Sequence, residues 1–229
     1  MDEQIETTDL GLTTYLGQFL TAERRQKIDA ALENRTRYFT VVLENIYQPH
    51  NASAVLRSAE CFGIQDVHII ENEYKYAINK DVVMGANKWL DIHQYRKKAN
   101  NSADCFRQLK ESGYQLVATS PHKDGYLIDE LPLDSKFALL FGTEKLGLSE
   151  IAMQEADLFV RIPMYGFTES FNISVSAAIS MHHLIHRLHQ SSVNWLMSET
   201  ERLQLKLDWY KRCIKNVEKH VATYQQSKK

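Results

Sequence analysis

Short apolar segments alternate with stretches of helical periodicity along most of this chain, and that alternation constrains its fold more than any other feature. Tyr38–Ile46 (YFTVVLENI) and Asp66–Glu71 (DVHIIE) concentrate β-branched and aromatic residues, the composition of strands. Trp89–Tyr95, Tyr114–Thr119 (YQLVAT), Phe137–Phe141 (FALLF) and Leu158–Ile162 (LFVRI) read the same way, with Pro163 ending the last. YQLVAT and FALLF are apolar with little alternation, as in parallel strands buried on both faces. Between these segments lie helical patterns. One starts near Thr21, with Ile28, Ala31 and Leu32 as its stripe. Another has Asn51 at an N-cap position, then Ala54, Val55, Ala59 and Phe62, and Gly63 as its closing C′ residue. Ser102 reads as the cap of a helix running to Gly113, and Ser149 as the cap of one to Ala156. A long helix spans about Asn172 to Gln190. Strand–helix–strand repetition specifies an α/β fold with a mostly parallel sheet. Ligands in such sheets sit beyond the carboxyl ends of strands, which draws attention to the loops after Ile46, Thr119, Phe141 and Ile162.

The ends of the chain differ from its middle. Residues 1–18 are weakly patterned and read as a short tail or arm. Leu203, Leu207, Tyr210, Ile214, Val217, Val221 and Tyr224 form a heptad-like seam on one helix. That helix packs either on the body of the domain or at a subunit interface with a basic outer face. Residues 1–37 therefore form an N-terminal arm and basic helix, 38–192 the α/β domain and 193–229 a C-terminal helical extension.

Charge is informative only in its distribution, because the net charge of −2 singles out no partner. Residues 22–38 carry Arg24, Arg25, Lys27, Arg35 and Arg37 against three acids, and the last 29 residues carry eight Lys or Arg against three acids. Such stretches suit phosphate contacts or solvated helix faces. No apolar run approaches the ~20 residues of a membrane span. The acidic start (Met1, Asp2, Glu3, Gln4) is unlike a secretory signal. Cys61, Cys105 and Cys213 form no C-x-x-C pair, so no disulfide framework or zinc knuckle is expected. The chain reads as cytoplasmic, with no membrane partner.

Several chemistries fail on their motifs. There is no G-x-G-x-x-G. Gly142–Ser149 is placed like a phosphate loop, but Leu148 replaces the needed Lys and Glu144 adds an anion. No G-x-S-x-G elbow is present. His182, His183, His186 and His189 share one helix, yet no H-E-x-x-H pattern supplies a metalloenzyme site. They read as a polar face near an interface or RNA, and no metal is expected.

Three segments remain, each at a strand end. Pro49–Arg57 holds Asn51 and Arg57, six residues apart. Phe141–Gly147 holds Gly142, Glu144 and Gly147. Ile162-Pro163-Met164 leads into Ser170-Phe171-Asn172-Ile173-Ser174. In this order they resemble the SPOUT superfamily, and more narrowly its SpoU/TrmH family of RNA ribose 2′-O-methyltransferases. The motifs N-x-x-x-x-x-R, G-x-E-x-x-G and I-P-M…S-L-N-V-S are matched in sequence over roughly residues 38–190. Phe171 stands where the family has Leu, a change of pocket shape rather than chemistry. The basic N-terminal helix and the Trp209-x-Lys211-Arg212 segment resemble the family's tRNA-specific TrmH branch.

The resemblance implies a C-terminal deep trefoil knot in the parallel sheet, flanked by N- and C-terminal helices. S-adenosyl-L-methionine would bind in that knot through the loops at Thr119, Gly142, Ile162 and Phe171. The protein would be a homodimer with its site close to the subunit interface. The RNA would be tRNA, methylated on the D-loop guanosine at position 18, and gripped through Arg24, Arg25, Lys211 and Arg212. Ribosomal RNA or another tRNA ribose remains an alternative, as does a non-catalytic RNA-binding homologue; the lack of a large N-terminal RNA-binding domain favours tRNA. The implied catalytic set is Arg57, Asn51, Glu144, Ser170 and Asn172. Asn51 and Ser170 would orient the ribose or Arg57. Glu144 would hold the loop or Arg57, and Asn172 would cap the helix and contact the first motif. A guanidinium rarely deprotonates in proteins. Arg57 therefore fits stabilisation of a developing alkoxide or a phosphate better than general-base work.

Overall fold

The segments rich in β-branched and aromatic residues all enter one sheet. In the computed structural model, which describes residues 2–121, 123–143 and 145–227, the strands are β1 (Phe39–Glu44), β2 (Asp66–Ile70), β3 (Asp91–Tyr95), β4 (Gln115–Thr119), β5 (Tyr126–Leu127), β6 (Phe137–Phe141) and β7 (Leu158–Arg161). Their order is β3-β2-β1-β6-β4-β7-β5, and each pairing is parallel. The two-residue β5 was too short to register as a pattern. The described chain divides into two compact units, Thr36–Trp195 and Met1–Arg35 with Leu196–Lys229.

In the first unit, alternate residues of β1 and β6 point to opposite faces, so both strands are buried throughout. Phe39, Val41, Leu43, Phe137, Leu139 and Phe141 join one core with Val55, Leu56 and Ala59 of α3 (Pro49–Cys61) and Ala177, Met181, Leu184 and Leu188 of α7 (Ile173–Gln190). Val42, Ala138, Leu140 and Leu116 join a second core with Cys105, Phe106 and Leu109 of α5 (Asn101–Glu111) and Ala152 of α6 (Glu150–Glu155). The result is a three-layer α/β/α arrangement. Each Val, Leu, Phe or Met among them contributes about 1.5–3 kcal/mol by leaving water. The short α4 (Lys80–Val83) lies between β2 and β3.

Two helix starts differ from the sequence expectation. Asn51 is not the cap of α3: Gln48 is, in an extended conformation, with Pro49 following. Proline fixes its own φ, needs no N–H in the first turn, and holds the preceding residue extended. The helix therefore begins earlier and leaves the Asn51 amide inside the first turn. Ser102 is not the cap of α5 either. Asn100 takes that role, its side chain accepting from Ala103 N at 3.0 Å. Thr21 and Ser149 do cap their helices, and Gly63 takes the positive φ expected of it, +76°.

The second unit is helical: α1 (Asp2–Gly17), α2 (Ala22–Leu32), α8 (Glu199–Cys213) and α9 (Val217–Gln226). The expected tail is thus a helix, with Leu12 and Leu16 buried one turn apart and α1 packed on α8 and α9. The expected single C-terminal helix is two. Ile214 is extended and Asn216 is left-handed at φ +52°, a conformation Asn tolerates. The seam divides accordingly. Leu205, Leu207, Trp209 and Tyr210 are buried in α8, no residue of α9 is fully buried, and α8 meets α1 and α2. Arg35 is buried with its guanidinium 5.0 Å above the Trp209 ring.

Candidate active site

Strands β6, β4 and β7 are neighbours, so their carboxyl ends deliver three loops to one place. Those loops and the first turns of α7 enclose a cavity of about 570 Å³, within the range of small-molecule sites. Thr119, Gly142, Ile162, Phe171 and Ser170 all line it. The Thr119 hydroxyl donates to Leu140 O at 2.7 Å, tying β4 to β6. Asn51, Arg57 and Asn172 are not among the lining residues. Glu144 lies outside the described residues.

The loop after β6 is a tight turn. Thr143 N donates to Gly147 O at 2.9 Å, Gly147 N returns to Thr143 O at 3.0 Å, and Leu146 N donates to Thr143 Oγ1 at 3.0 Å. Gly142 is required sterically, since a Cβ there would lie 2.1 Å from both the carbonyl carbon and oxygen of Gly147. Gly147 is required conformationally, at φ +70°. The far end of the loop is held from below. Glu44, the buried last residue of β1, accepts from Ser149 N at 2.9 Å, Ser149 Oγ at 2.8 Å and the hydroxyl of Ser102. A buried carboxylate is tolerable only with such donors. Sequence reasoning missed Glu44, although a lone acid closing the apolar run Val41-Val42-Leu43 was a signal. It also missed Ser180, whose Oγ is buried, lines the cavity and has no hydrogen-bond partner among the described residues.

The first and third motifs meet across α3 and α7. Asn172 caps α7, its Oδ1 accepting from Ser174 N at 2.9 Å. Its Nδ2 donates to Asn51 Oδ1 at 3.3 Å, while Asn51 Nδ2 donates to Gln48 Oε1 at 3.2 Å. Ser170 and Phe171, just before Asn172, stand at the cavity. Arg57 is exposed on α3 and makes no ion pair among the described residues. The structure thus joins Asn51 to Asn172 and sets Ser170 beside the cavity, while Arg57 is exposed about one and two-thirds turns further along α3.

The basic stretches are partly structural. Arg37 binds Asp66 and, at 2.6 Å, Asp91. Burial works against its charge, but the two carboxylates outweigh that and raise its pKa. Arg25 Nη1 donates to Gly17 O at 2.7 Å and Leu20 O at 3.2 Å, closing the end of α1. Lys27 pairs with Glu23 on the same helix. Lys211 lies 3.7 Å from Asp208, and Arg24 and Arg212 are exposed. Of the α7 histidines, His186 Nε2 meets Gln190 Nε2 at 3.0 Å and His189 stacks on Trp195 at 4.3 Å. Burial first, then Arg187, lowers the pKa of His183.

Among known proteins, the chain is 42% identical over 201 residues to a protein of Borreliella burgdorferi named tRNA (guanosine(18)-2′-O)-methyltransferase, covering 88% of this chain and 90% of that one. A Thermus thermophilus protein of the same name is 35% identical over 159 residues, 69% of this chain and 80% of the other. The crystal structure of the A. aeolicus TrmH/SpoU tRNA modifying enzyme superposes with a TM-score of 0.72 at 27% identity, covering 84% of this chain and 98% of that one. The model of the SpoU rRNA methylase family matches residues 38–182, the same stretch that builds the sheet, the cavity and the Asn51–Asn172 contact. With that match and these relatives, the chain belongs to the SpoU rRNA methylase family.

Proposed function

We propose that the protein transfers a methyl group from S-adenosyl-L-methionine to a ribose 2′-hydroxyl of RNA, and that its substrate is the D-loop guanosine 18 of tRNA. The observation that carries this reading is the 42% identity to the Borreliella methyltransferase over 90% of that protein's length. The cavity supports it: it is nucleoside-sized, floored by strand ends, and holds a buried serine hydroxyl in need of a partner. Main-chain groups at Thr119, Gly142, Ile162 and Phe171 hold the cofactor, with Ser180 Oγ as one polar contact. Lys145 and Glu169, which also line the cavity, suit its carboxylate and ammonium ends. When bound, S-adenosyl-L-methionine supplies a methyl group already activated on a sulfonium. The protein must then align the hydroxyl and manage its proton.

Arg57 is the fixed cation for the developing alkoxide or an adjacent phosphate; its exposure, with no ion pair among the described residues, supports that role. Asn172 positions the first turn of α3 through Asn51, Ser170 orients the ribose or Arg57, and Glu144 holds the loop or Arg57. The exposed Arg24 and Arg212, with Arg25 and Lys211, contact RNA phosphates from the segments 1–37 and 193–229 that flank the methyltransferase domain 38–192. A trefoil knot made by the loop after β6 and the segment 162–172 belongs to the same reading. It is supported by the strand order, with β7 returning beside β4, and by both segments lining one cavity. The exposed Phe171, Val175 and Ile179, followed on α7 by His182 and His186, support a homodimer formed along this helix. No described helix is long and apolar enough to cross a membrane, and the reading assigns the enzyme to the cytoplasm with its tRNA.

The test is methyl transfer from labelled S-adenosyl-L-methionine to unmodified tRNA and ribosomal RNA transcripts, with the product mapped by mass spectrometry. Methyl on the guanosine-18 ribose is expected. Methyl on ribosomal RNA alone would keep the chemistry and overturn the substrate.

A further inference from the structure

We propose that Tyr47 and Tyr74 form a stacking platform for an unstacked base of the RNA substrate next to the methylated nucleotide. This rests on the methyltransferase reading above and adds a subsite to it. Tyr47 lies between β1 and α3, and Tyr74 follows β2, so both stand at the carboxyl end of the sheet, as the cavity does. Their rings are 5.0 Å apart at 71°. Tyr47 is 65% exposed and Tyr74 38%. An edge-to-face pair leaves ring faces open, and RNA loops are recognised by stacking splayed bases on such faces.

The two loops are held together rather than left to fluctuate. Asn45 sits in the left-handed region at φ +55°, a conformation Asn tolerates because its short polar side chain can hydrogen-bond locally. In it, Asn45 Oδ1 accepts from both Asn72 N at 2.8 Å and Glu73 N at 3.0 Å. Asn79 N then donates to Ser53 Oγ of α3 at 2.9 Å, anchoring the far end of the Tyr74 segment. Two exposed aromatic rings are thus displayed on clipped main chain. The platform also has a defined neighbour. Tyr47 is four residues before Asn51, with Pro49 stiffening the link, and Asn51 touches Asn172 beside Ser170 and Phe171 at the cavity. Glu73 and Lys75 flank Tyr74 with opposite charges, so the pair offers ring surface rather than a phosphate site.

The test uses the full-length protein and unmodified tRNA transcript. Tyr47→Ala is expected to raise KM for RNA by about 5- to 150-fold, the worth of one stacked base. Tyr74→Ala acts in the same direction, and Tyr47→Phe, which keeps the ring, stays within about twofold of the parent. Affinity for S-adenosyl-L-methionine stays unchanged in all three. A transcript abasic at one position flanking the target raises KM for the parent protein but adds nothing in Tyr47→Ala, the non-additivity of a shared contact. An unchanged KM in Tyr47→Ala, equal damage from Tyr47→Phe, strict additivity at every abasic position, or loss of cofactor affinity would each overturn the platform. In those cases the parent's turnover still stands. A parent protein that binds cofactor but methylates neither tRNA nor ribosomal RNA would bring down the methyltransferase reading and the platform with it.

Discussion

Replacing Gly142 with alanine tests the cavity's most demanding contact. The new Cβ would lie 2.1 Å from the Gly147 carbonyl carbon and oxygen and 2.3 Å from Leu148 N. All three are main-chain atoms, so no side chain can swing away. Relief requires the loop to open by more than about 1 Å, against the hydrogen bonds that close it. The two Thr143–Gly147 hydrogen bonds and the Leu146 N–Thr143 Oγ1 bond cannot all survive that shift. Each contributes about 0.5–1.5 kcal/mol net, so the loop loses about 2–4 kcal/mol. If the loop must re-form to hold S-adenosyl-L-methionine, the dissociation constant rises by about 30- to 1,000-fold. Calorimetric titration of the cofactor reads this directly, with a thermal melt to confirm that Thr36–Trp195 stays folded. Gly147→Ala separates sterics from conformation. Its Cβ meets nothing within 4 Å, but its φ is +70°, so it costs only about 1–2 kcal/mol and weakens binding less. Cofactor affinity within threefold of the parent in Gly142→Ala, or greater damage from Gly147→Ala, would refute the reasoning.

Three further outcomes are expected. Glu44→Gln puts an amide where three donors now converge; it should lower stability by about 1–3 kcal/mol in urea unfolding and loosen cofactor binding, and a neutral result would remove Glu44 as the loop's anchor. Arg57→Ala should slow methyl transfer by about 10²–10³-fold without changing cofactor affinity, and near-normal turnover in Arg57→Lys would show that the guanidinium's planar fork is dispensable. His68 is pushed down to about 3, by burial first and then by His93, with Asp66 opposing, and its Nδ1 faces Tyr95 OH at 3.0 Å. The unfolded chain therefore binds this proton first, so the stability His68 confers is present above about pH 6.5 and is lost as pH falls toward 3. Between pH 7 and 5 that loss is about 2 kcal/mol, and His68→Asn should flatten the unfolding profile by that amount; an unaltered slope would contradict the assignment.

Local chemistry along the chain decided the strands, several caps and the loops that line the cavity. A short unbroken apolar run such as Phe137–Phe141, bounded by Gly142, suits a central strand buried on both faces. Thr21, Ser149 and Gly63 act on groups within a few residues of themselves, and this is why they were legible. Thr119, Gly142, Ile162 and Phe171 follow strand ends, where a parallel sheet opens its crevice, and they line one cavity. The remainder depended on partners far along the chain. Pro49 moved the start of α3 and released Asn51 to meet Asn172, 121 residues away. Asn100 displaced Ser102 from its cap and left it to serve Glu44. Arg35 and Arg37 look like phosphate ligands in sequence, yet Trp209 and the Asp66–Asp91 pair occupy them. A side chain's type sets which interactions it can make. Which of them it does make depends on the groups that packing brings within about 3 Å, the reach of a hydrogen bond, and packing is a property of the whole fold.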